Sequence, residues 1–236
     1  DHLPQARKPE AEDTAVLLRR LVAHAPAVLE ACPANRRLRA AGRPVANGIW
    51  PWYGGRARPF RSLRERYGIR GAVISAVDVI VGLGRSLGME VLRVPGVTGY
   101  IDTNYEGKAD AAIEALQTHD LVYLHLEAID EVSHEQNVQA KVAAIEDFDR
   151  RIISRVLAAT GPELCAAVLP DHPVPVLLGK HTRTPVPVAV RQPGATPDRV
   201  TVYDEQACPH GSLGSLHNGD LMALLFARSP SPTFAA

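Results

Sequence analysis

Between residues 71 and 190, short apolar runs alternate with stretches of helical periodicity, and no other feature limits the fold as tightly. Gly71 to Ala76, Glu90 to Val94, Leu121 to Leu126, Cys165 to Leu169 and Val186 to Val190 read as strands. Val77 to Leu87, Lys108 to Thr118, Val138 to Ala158 and Gly219 to Ala227 read as helices. In the third of these, Val142, Ile145, Ile152 and Val156 recur at helical spacing with charges between them. Leu121 to Leu126 is a nearly continuous apolar run, as strands are when both faces of their sheet are covered. Strands and helices in alternation predict an α/β fold, a mostly parallel sheet with helices on both faces.

Upstream, Glu10 to Ala31 forms one helical stripe through Ala15, Leu18, Leu21, Val22 and Ala25. A Pro-, Arg- and Gly-rich stretch, Pro33 to Pro59, follows and contains both tryptophans. Ile49, Trp50, Trp52 and Tyr53 need burial or a partner, so this stretch is expected to be an ordered connection rather than a flexible linker.

Lys plus Arg and Asp plus Glu number 26 each, so there is no net charge to form a broad basic face. Nucleic acid and membrane surfaces are therefore not expected partners. No apolar run approaches the roughly 20 residues that span a bilayer. Cys32, Cys165 and Cys208 are odd in number and widely spaced, which fits a reducing cytoplasm and buried thiols. Asp1-His2-Leu3-Pro4 has no signal pattern and no initiator Met, so the chain is expected to be processed or to start inside a longer one. Gly82, Gly84 and Gly88 resemble a dinucleotide fingerprint, but the third glycine is displaced and the set lies inside a helical stretch.

Acids and histidines cluster where strands end. Asp130 and His134 follow the strand ending at Leu126, Asp171 and His172 follow the one ending at Leu169, and His181 precedes the last strand. In a parallel sheet the carboxyl ends of the strands share one edge, where ligands bind. All five side chains could converge there. Carboxylate and imidazole suit Mn²⁺, Zn²⁺ or similar ions, and two metals can deprotonate a hydroxyl and hold both oxygens of a phosphoryl transfer. Five ligands exceed what one open catalytic site needs and fall short of two sites. Taken singly, Asp130 also reads as a helix cap or turn former and His134 as a surface histidine. The adjacent Asp171-His172 pair at the end of a buried strand resists that reading. His2, His24, His119, His125, His210 and His217 show no comparable context.

These clusters have a family likeness. Asp130-Glu-Val-Ser-His134-Glu135, Leu169-Pro-Asp-His-Pro-Val-Pro175 and His181-Thr-Arg-Thr-Pro-Val-Pro187 resemble the metal motifs of the archaeal-type, cofactor-independent phosphoglycerate mutases. Gly48 to Arg56, Gly71 to Asp78 and Thr98 to Lys108 resemble further landmarks of that family, in family order. The resemblance covers essentially the whole chain and implies an alkaline-phosphatase-like fold. It implies interconversion of 3-phosphoglycerate and 2-phosphoglycerate through a phosphoserine, without bisphosphoglycerate. It implies two divalent ions, Mn²⁺ first, with Zn²⁺, Co²⁺ or Mg²⁺ as alternatives. Asp130, His134 and His181 would hold one ion. Asp171 and His172, with an N-terminal aspartate and the nucleophilic serine, would hold the other. Arg56 is the best match for gripping a small phosphorylated substrate, with Arg58 and Lys108 as weaker ones; a loop charge and a first helical turn are their plainer readings.

The departures set further expectations. The opening strand, its aspartate and the nucleophilic serine have no match here, and no other serine stands in their motif. Residues 1–47 are expected to be the end of an inserted domain, and residues 48–236 the metal-binding α/β domain. Ile129, Val132 and Ser133 stand where Pro, Ala and Gly are expected, and Asn137 where an acid is common. Three readings stay open: part of such a mutase, inactive alone; a phosphatase or phosphonate-processing relative; or a truncated, non-catalytic metal- or partner-binding domain that self-associates.

Overall fold

The computed structural model describes residues 3–52, 54–55 and 59–226. The chain forms two compact units, Asp1–Arg58 and Pro59–Ala236.

In the first unit, a short 3-10 turn (Pro9–Ala11) leads into α1 (Glu12–Ala31), and α2 (Pro33–Ala40) packs against α1. The expected helix is therefore present, and a second one lies inside the stretch read as a connection. Pro33 at its first turn and the helix-forming Arg36 to Ala40 explain why it forms. Buried Asn35 closes the unit: its amide donates to the carbonyls of Leu29 (2.8 Å) and Ala46 (2.6 Å) and accepts from the Ala46 N–H (3.1 Å). Ile49, Trp50 and Trp52 are exposed rather than buried, and Tyr53 lies outside the described residues.

The second unit begins with α3 (Leu63–Tyr67), which Ser62 and Glu65 open with a reciprocal capping box. Strands β1 (Gly71–Ile74), β2 (Glu90–Val91) and β3 (Leu121–Leu124) form a parallel sheet in the order β2-β1-β3. Between them run α4 (Asp78–Ser86) and α5 (Tyr105–Ala115). The first crossover moves to one side of β1 and the second returns past it, so right-handed connections place α4 and α5 on opposite faces. This is the mixed α/β architecture that the alternation predicts. The strand order reverses between β1 and β3, and such a switch point opens a crevice at the carboxyl ends of its strands.

Ala72, Val73 and Ile74 of β1 are almost wholly buried. Gly84 of the fingerprint-like trio sits within α4, where an added Cβ would lie 2.6 Å from Val73 Cγ1. Its role here is close helix–sheet packing. Tyr105, Ala109 and Ile152 centre the core.

α6 (Ala128–His134) and α7 (Val138–Asp147) follow, then a π-helical turn (Phe148–Ile153) and α8 (Ser154–Thr160). The apolar stripe expected along 138–158 is broken. Ile152 is buried, but Val142 and Ile145 are exposed. A π turn takes up an extra residue and rotates the helix face, so a stripe continuous in α spacing splits between core and solvent. Arg151 forks onto Glu106 (2.6 and 2.8 Å) and Arg155 onto Asp110 (2.6 and 3.0 Å), and these pairs link the helix to α5.

β4 (Ala166–Val168) and β5 (Ala189–Arg191) pair antiparallel as a separate two-stranded sheet. The five-strand single edge expected from sequence is thus two sheets among the described residues. α9 (Asp220–Phe226) completes the described chain. The three cysteines are half-buried rather than buried.

Because Gly84 touches β1 directly, Gly84→Val should overpack this contact and lower stability by about 2 kcal/mol. Urea unfolding measures it; an unchanged midpoint would show that α4 and β1 are not in this close contact.

Candidate metal centre

α6 turns the Asp130–His134 spacing into geometry. Four residues apart, the two side chains share one helical face, and His134 Nε2 lies 3.3 Å from Asp130 Oδ2. The opposite face of α6 is core. Val132 and Ser133 are fully buried, and Ser133 Oγ donates to the Ile129 carbonyl of its own helix. Two of the departures from the family pattern are therefore buried packing residues, and Val132 lies on the helical face opposite Asp130.

His172 and His181 come from the irregular segment between β4 and β5. Their rings stack with centroids 3.9 Å apart. His181 Nε2 is 3.4 Å and His172 Nδ1 3.8 Å from Asp130 Oδ1. His134 Nε2 is 2.9 Å from His181 Nε2. Asp171 meets His172 at its other nitrogen, with Oδ2 3.3 Å from Nε2. All five residues singled out from the sequence are thus in one connected cluster. Asp130, His172 and His181 form one triad whose ligand atoms all lie within 4.8 Å of one another; the resemblance divides the same residues differently, pairing His172 with Asp171 and His134 with Asp130 and His181.

The cluster has the chemistry of a cation site. Asp130 Oδ1 and His172 Nδ1 are buried and have no hydrogen-bond partner among the described residues. Stranding such groups costs about 1–3 kcal/mol each. His134 Nδ1 donates to the Gly179 carbonyl at 2.9 Å, since a carbonyl can only accept. In the neutral ring that leaves a lone pair on Nε2, aimed at a carboxylate and at another imidazole nitrogen. A divalent ion reconciles these groups, and a backbone carbonyl on the far nitrogen is the usual support of a metal-binding histidine. Donors on one ion with bonds near 2.1 Å stand about 3.0–3.5 Å apart, close to the spacings here. Glu127, Asp130 and Glu131 bring a second set of carboxylate oxygens together beside the first.

Sequence reading passed over His125, Ser75 and Glu127. His125 follows β3 directly, and its Nδ1 lies 3.1 Å from Ser75 Oγ at the end of β1. Its Nε2 is 3.5 Å from Glu127 Oε2. The switch point between β1 and β3 is therefore bridged by a polar chain that runs toward Asp130. Burial keeps the His125 ring below its ordinary pKa, and burial together with the Asp130, Glu131 and Asp171 carboxylates raises that of Glu127. The available signal was position: His125 and Glu127 follow β3 within three residues and come shortly before Asp130. A cavity of about 260 Å³ opens beside Ser75, lined also by Asp78, Arg85 and Arg93.

Lys108 is fully buried on α5, and its ammonium donates to the His125 carbonyl at 3.1 Å. Burial pushes its pKa down to about 8, with Glu127 opposing the shift. Arg56 and Arg58 lie outside the described residues.

A family model described as the metalloenzyme superfamily matches residues 37–228. The 2,3-bisphosphoglycerate-independent phosphoglycerate mutase of Methanosarcina acetivorans is 44% identical over 229 residues, 95% of this chain and 56% of that protein. The same-named protein of Methanosarcina barkeri is 48% identical over 202 residues, 84% of this chain and 51% of that one. The chain thus spans about half the length of the curated relatives it matches. A solved protein of Pyrococcus horikoshii superposes with a TM-score of 0.77 at 30% identity, over 97% of this chain and 61% of that one. The cofactor-independent phosphoglycerate mutase of Thermoplasma acidophilum shares the fold, with a TM-score of 0.61 at 24% identity, over 94% of this chain and 54% of that one.

Lys108 carries a pH signature. Its pKa falls from an ordinary value near 10.4 in the unfolded chain to about 8 in the fold. The unfolded chain then holds more protons between these values, so stability rises with pH across that window. The rise amounts to about 3 kcal/mol at most. Denaturant unfolding between pH 7 and 10.5 should show it in the parent and not in Lys108→Met; identical profiles would mean that Lys108 is solvated.

Proposed function

The chain belongs to the metalloenzyme superfamily, and from that premise we propose that it is the metal-binding part of an isomerase that interconverts 3-phosphoglycerate and 2-phosphoglycerate through a phosphoserine. The observation that carries this reading is the convergence of Asp130, His134, Asp171, His172 and His181 around a stranded carboxylate oxygen. The names of the relatives supply the reaction.

Asp130, with His134, His172 and His181, would hold a divalent ion, with Mn²⁺ the ion we favour. Asp171 stands where it can orient His172 or join a second ion. When bound, the ions would lower the pKa of an attacking hydroxyl and neutralise phosphoryl oxygens. The chain's own residues do the rest. Gly179 holds the His134 tautomer. Lys108 presents a buried cation at the carboxyl end of β3, where an anionic oxygen of substrate would be recognised. We assign Arg56, and less strongly Arg58, to the same task.

Residues 1–47 are read as the end of an inserted domain and 48–236 as the metal-binding domain. The nucleophilic serine is not assigned to any serine of this chain, so the isolated chain is proposed to be inactive. The odd, scattered cysteines favour a cytoplasmic setting.

Three measurements test this. Incubated with 3-phosphoglycerate and Mn²⁺, the isolated chain should give no 2-phosphoglycerate; robust turnover would refute the inactivity. Release of phosphate from a panel of phosphate monoesters would instead favour a hydrolytic relative. Calorimetric titration with Mn²⁺ should show binding that Asp130→Ala weakens at least about 100-fold, whereas equal affinity in that variant would remove Asp130 from the site.

A further inference from the structure

His172 and His181 are carried by a strap, residues 172–182, that contains no helix or strand. It turns on itself through Leu178 N–H and Gly179 N–H, which both donate to the Pro175 carbonyl, and Thr182 N–H, which donates to the Pro173 carbonyl. Residues 134–141, at the end of α6 and the start of α7, add three side-chain bonds to it. His134 Nδ1 donates to the Gly179 carbonyl (2.9 Å), Gln136 Nε2 to the Leu177 carbonyl (2.9 Å) and Lys141 Nζ to the Val174 carbonyl (2.9 Å). Three side chains within eight residues thus grip three carbonyls of the strap.

Gln136 stands out among the three. It holds the left-handed backbone conformation, with φ 57°. It closes α6: Gln136 N–H donates to the Ser133 carbonyl and Asn137 N–H to the Val132 carbonyl. Glycine is the residue that fits such a helix end without strain. Glycine has no amide to reach Leu177. The packing on the strap side is complementary: Gly179 is itself left-handed, at φ 57°, and a Cβ there would lie 3.0 Å from Gln136 Cγ and 3.1 Å from the His134 carbonyl oxygen. A glutamine stands where glycine is easier, and a glycine faces it where a side chain would be crowded and its backbone strained.

Resting on the metal-centre reading, we propose that Gln136 is a positioning residue, a latch that holds the 172–182 strap so that His172 and His181 are set against Asp130 before the ion arrives. It touches no ion. Its effect passes through the Leu177 carbonyl to the two histidines that bracket the strap. The latch makes a specific demand on variants. Gln136→Gly relieves the backbone and removes the amide, so folding and metal affinity should move in opposite directions.

The test uses the chain as it is, with Mn²⁺ as the probe. Gln136→Gly should keep or raise the unfolding midpoint of the metal-free chain, speed amide exchange in residues 174–182, and weaken Mn²⁺ affinity on the order of 10-fold. Gln136→Lys, which restores a donor of similar reach, should recover most of that affinity. Unchanged exchange in the strap, with Mn²⁺ affinity within twofold of the parent, would overturn the latch. Loss of affinity that simply tracks a lowered midpoint would overturn it too, since that pattern marks general destabilisation. If the parent itself binds no Mn²⁺, the metal reading fails separately, and strap exchange in Gln136→Gly still decides whether the latch exists.

Discussion

One carboxylate oxygen organises the second unit. Asp130 Oδ1 is buried, lacks a hydrogen-bond donor among the described residues, and has imidazole nitrogens at 3.4 and 3.8 Å. Leaving an oxygen in this state is costly, because a buried acceptor without a donor has lost its hydration unreplaced. The surrounding structure concentrates the cost instead of relieving it. Glu127 and Glu131 bring more negative charge to the same place, and the buried Lys108 ammonium gives a hydrogen bond to a backbone carbonyl. Such a centre is coherent when a divalent cation completes it.

The fold leads to this point in steps. Parallel β1 and β3 end side by side at the switch point, and the Ser75–His125 contact joins their ends. β3 runs almost directly into α6, so Asp130 and His134 leave the same edge on one helical face. The strap then brings His172 and His181 across, from a sheet that is not hydrogen-bonded to the first. Elements with different partners thus meet at one carboxylate, and the meeting depends on side chain to carbonyl bonds at the α6–α7 junction.

Much of this was legible in the sequence where a local pattern controls the structure. β1, β3, α1, α4 and α5 follow from apolar runs and helical spacing, and the acid and histidine positions stand out by their places, four after strands and His181 before one. The rest depended on information that a local pattern lacks. α6 is seven residues long, too short for periodicity to declare it. The antiparallel pairing of β4 with β5 is a tertiary choice, and strands of three residues each carry no pattern that fixes the direction. The π turn shifts the face of a helix whose spacing looked uniform, so Val142 and Ile145 emerge into solvent. His125 looked unremarkable because its meaning comes from Ser75, fifty residues away. Gln136 had no signal at all, since a glutamine gives no hint of a left-handed backbone.

The central claim is that the acid–histidine cluster clasps a divalent ion through Asp130. Crystals of the chain grown with Mn²⁺ and measured at its absorption edge test it most directly. The account predicts an anomalous peak about 2.0–2.3 Å from Asp130 Oδ1, His172 and His181. No peak there in Mn²⁺-saturated crystals, or these side chains turned away from one another, would contradict it.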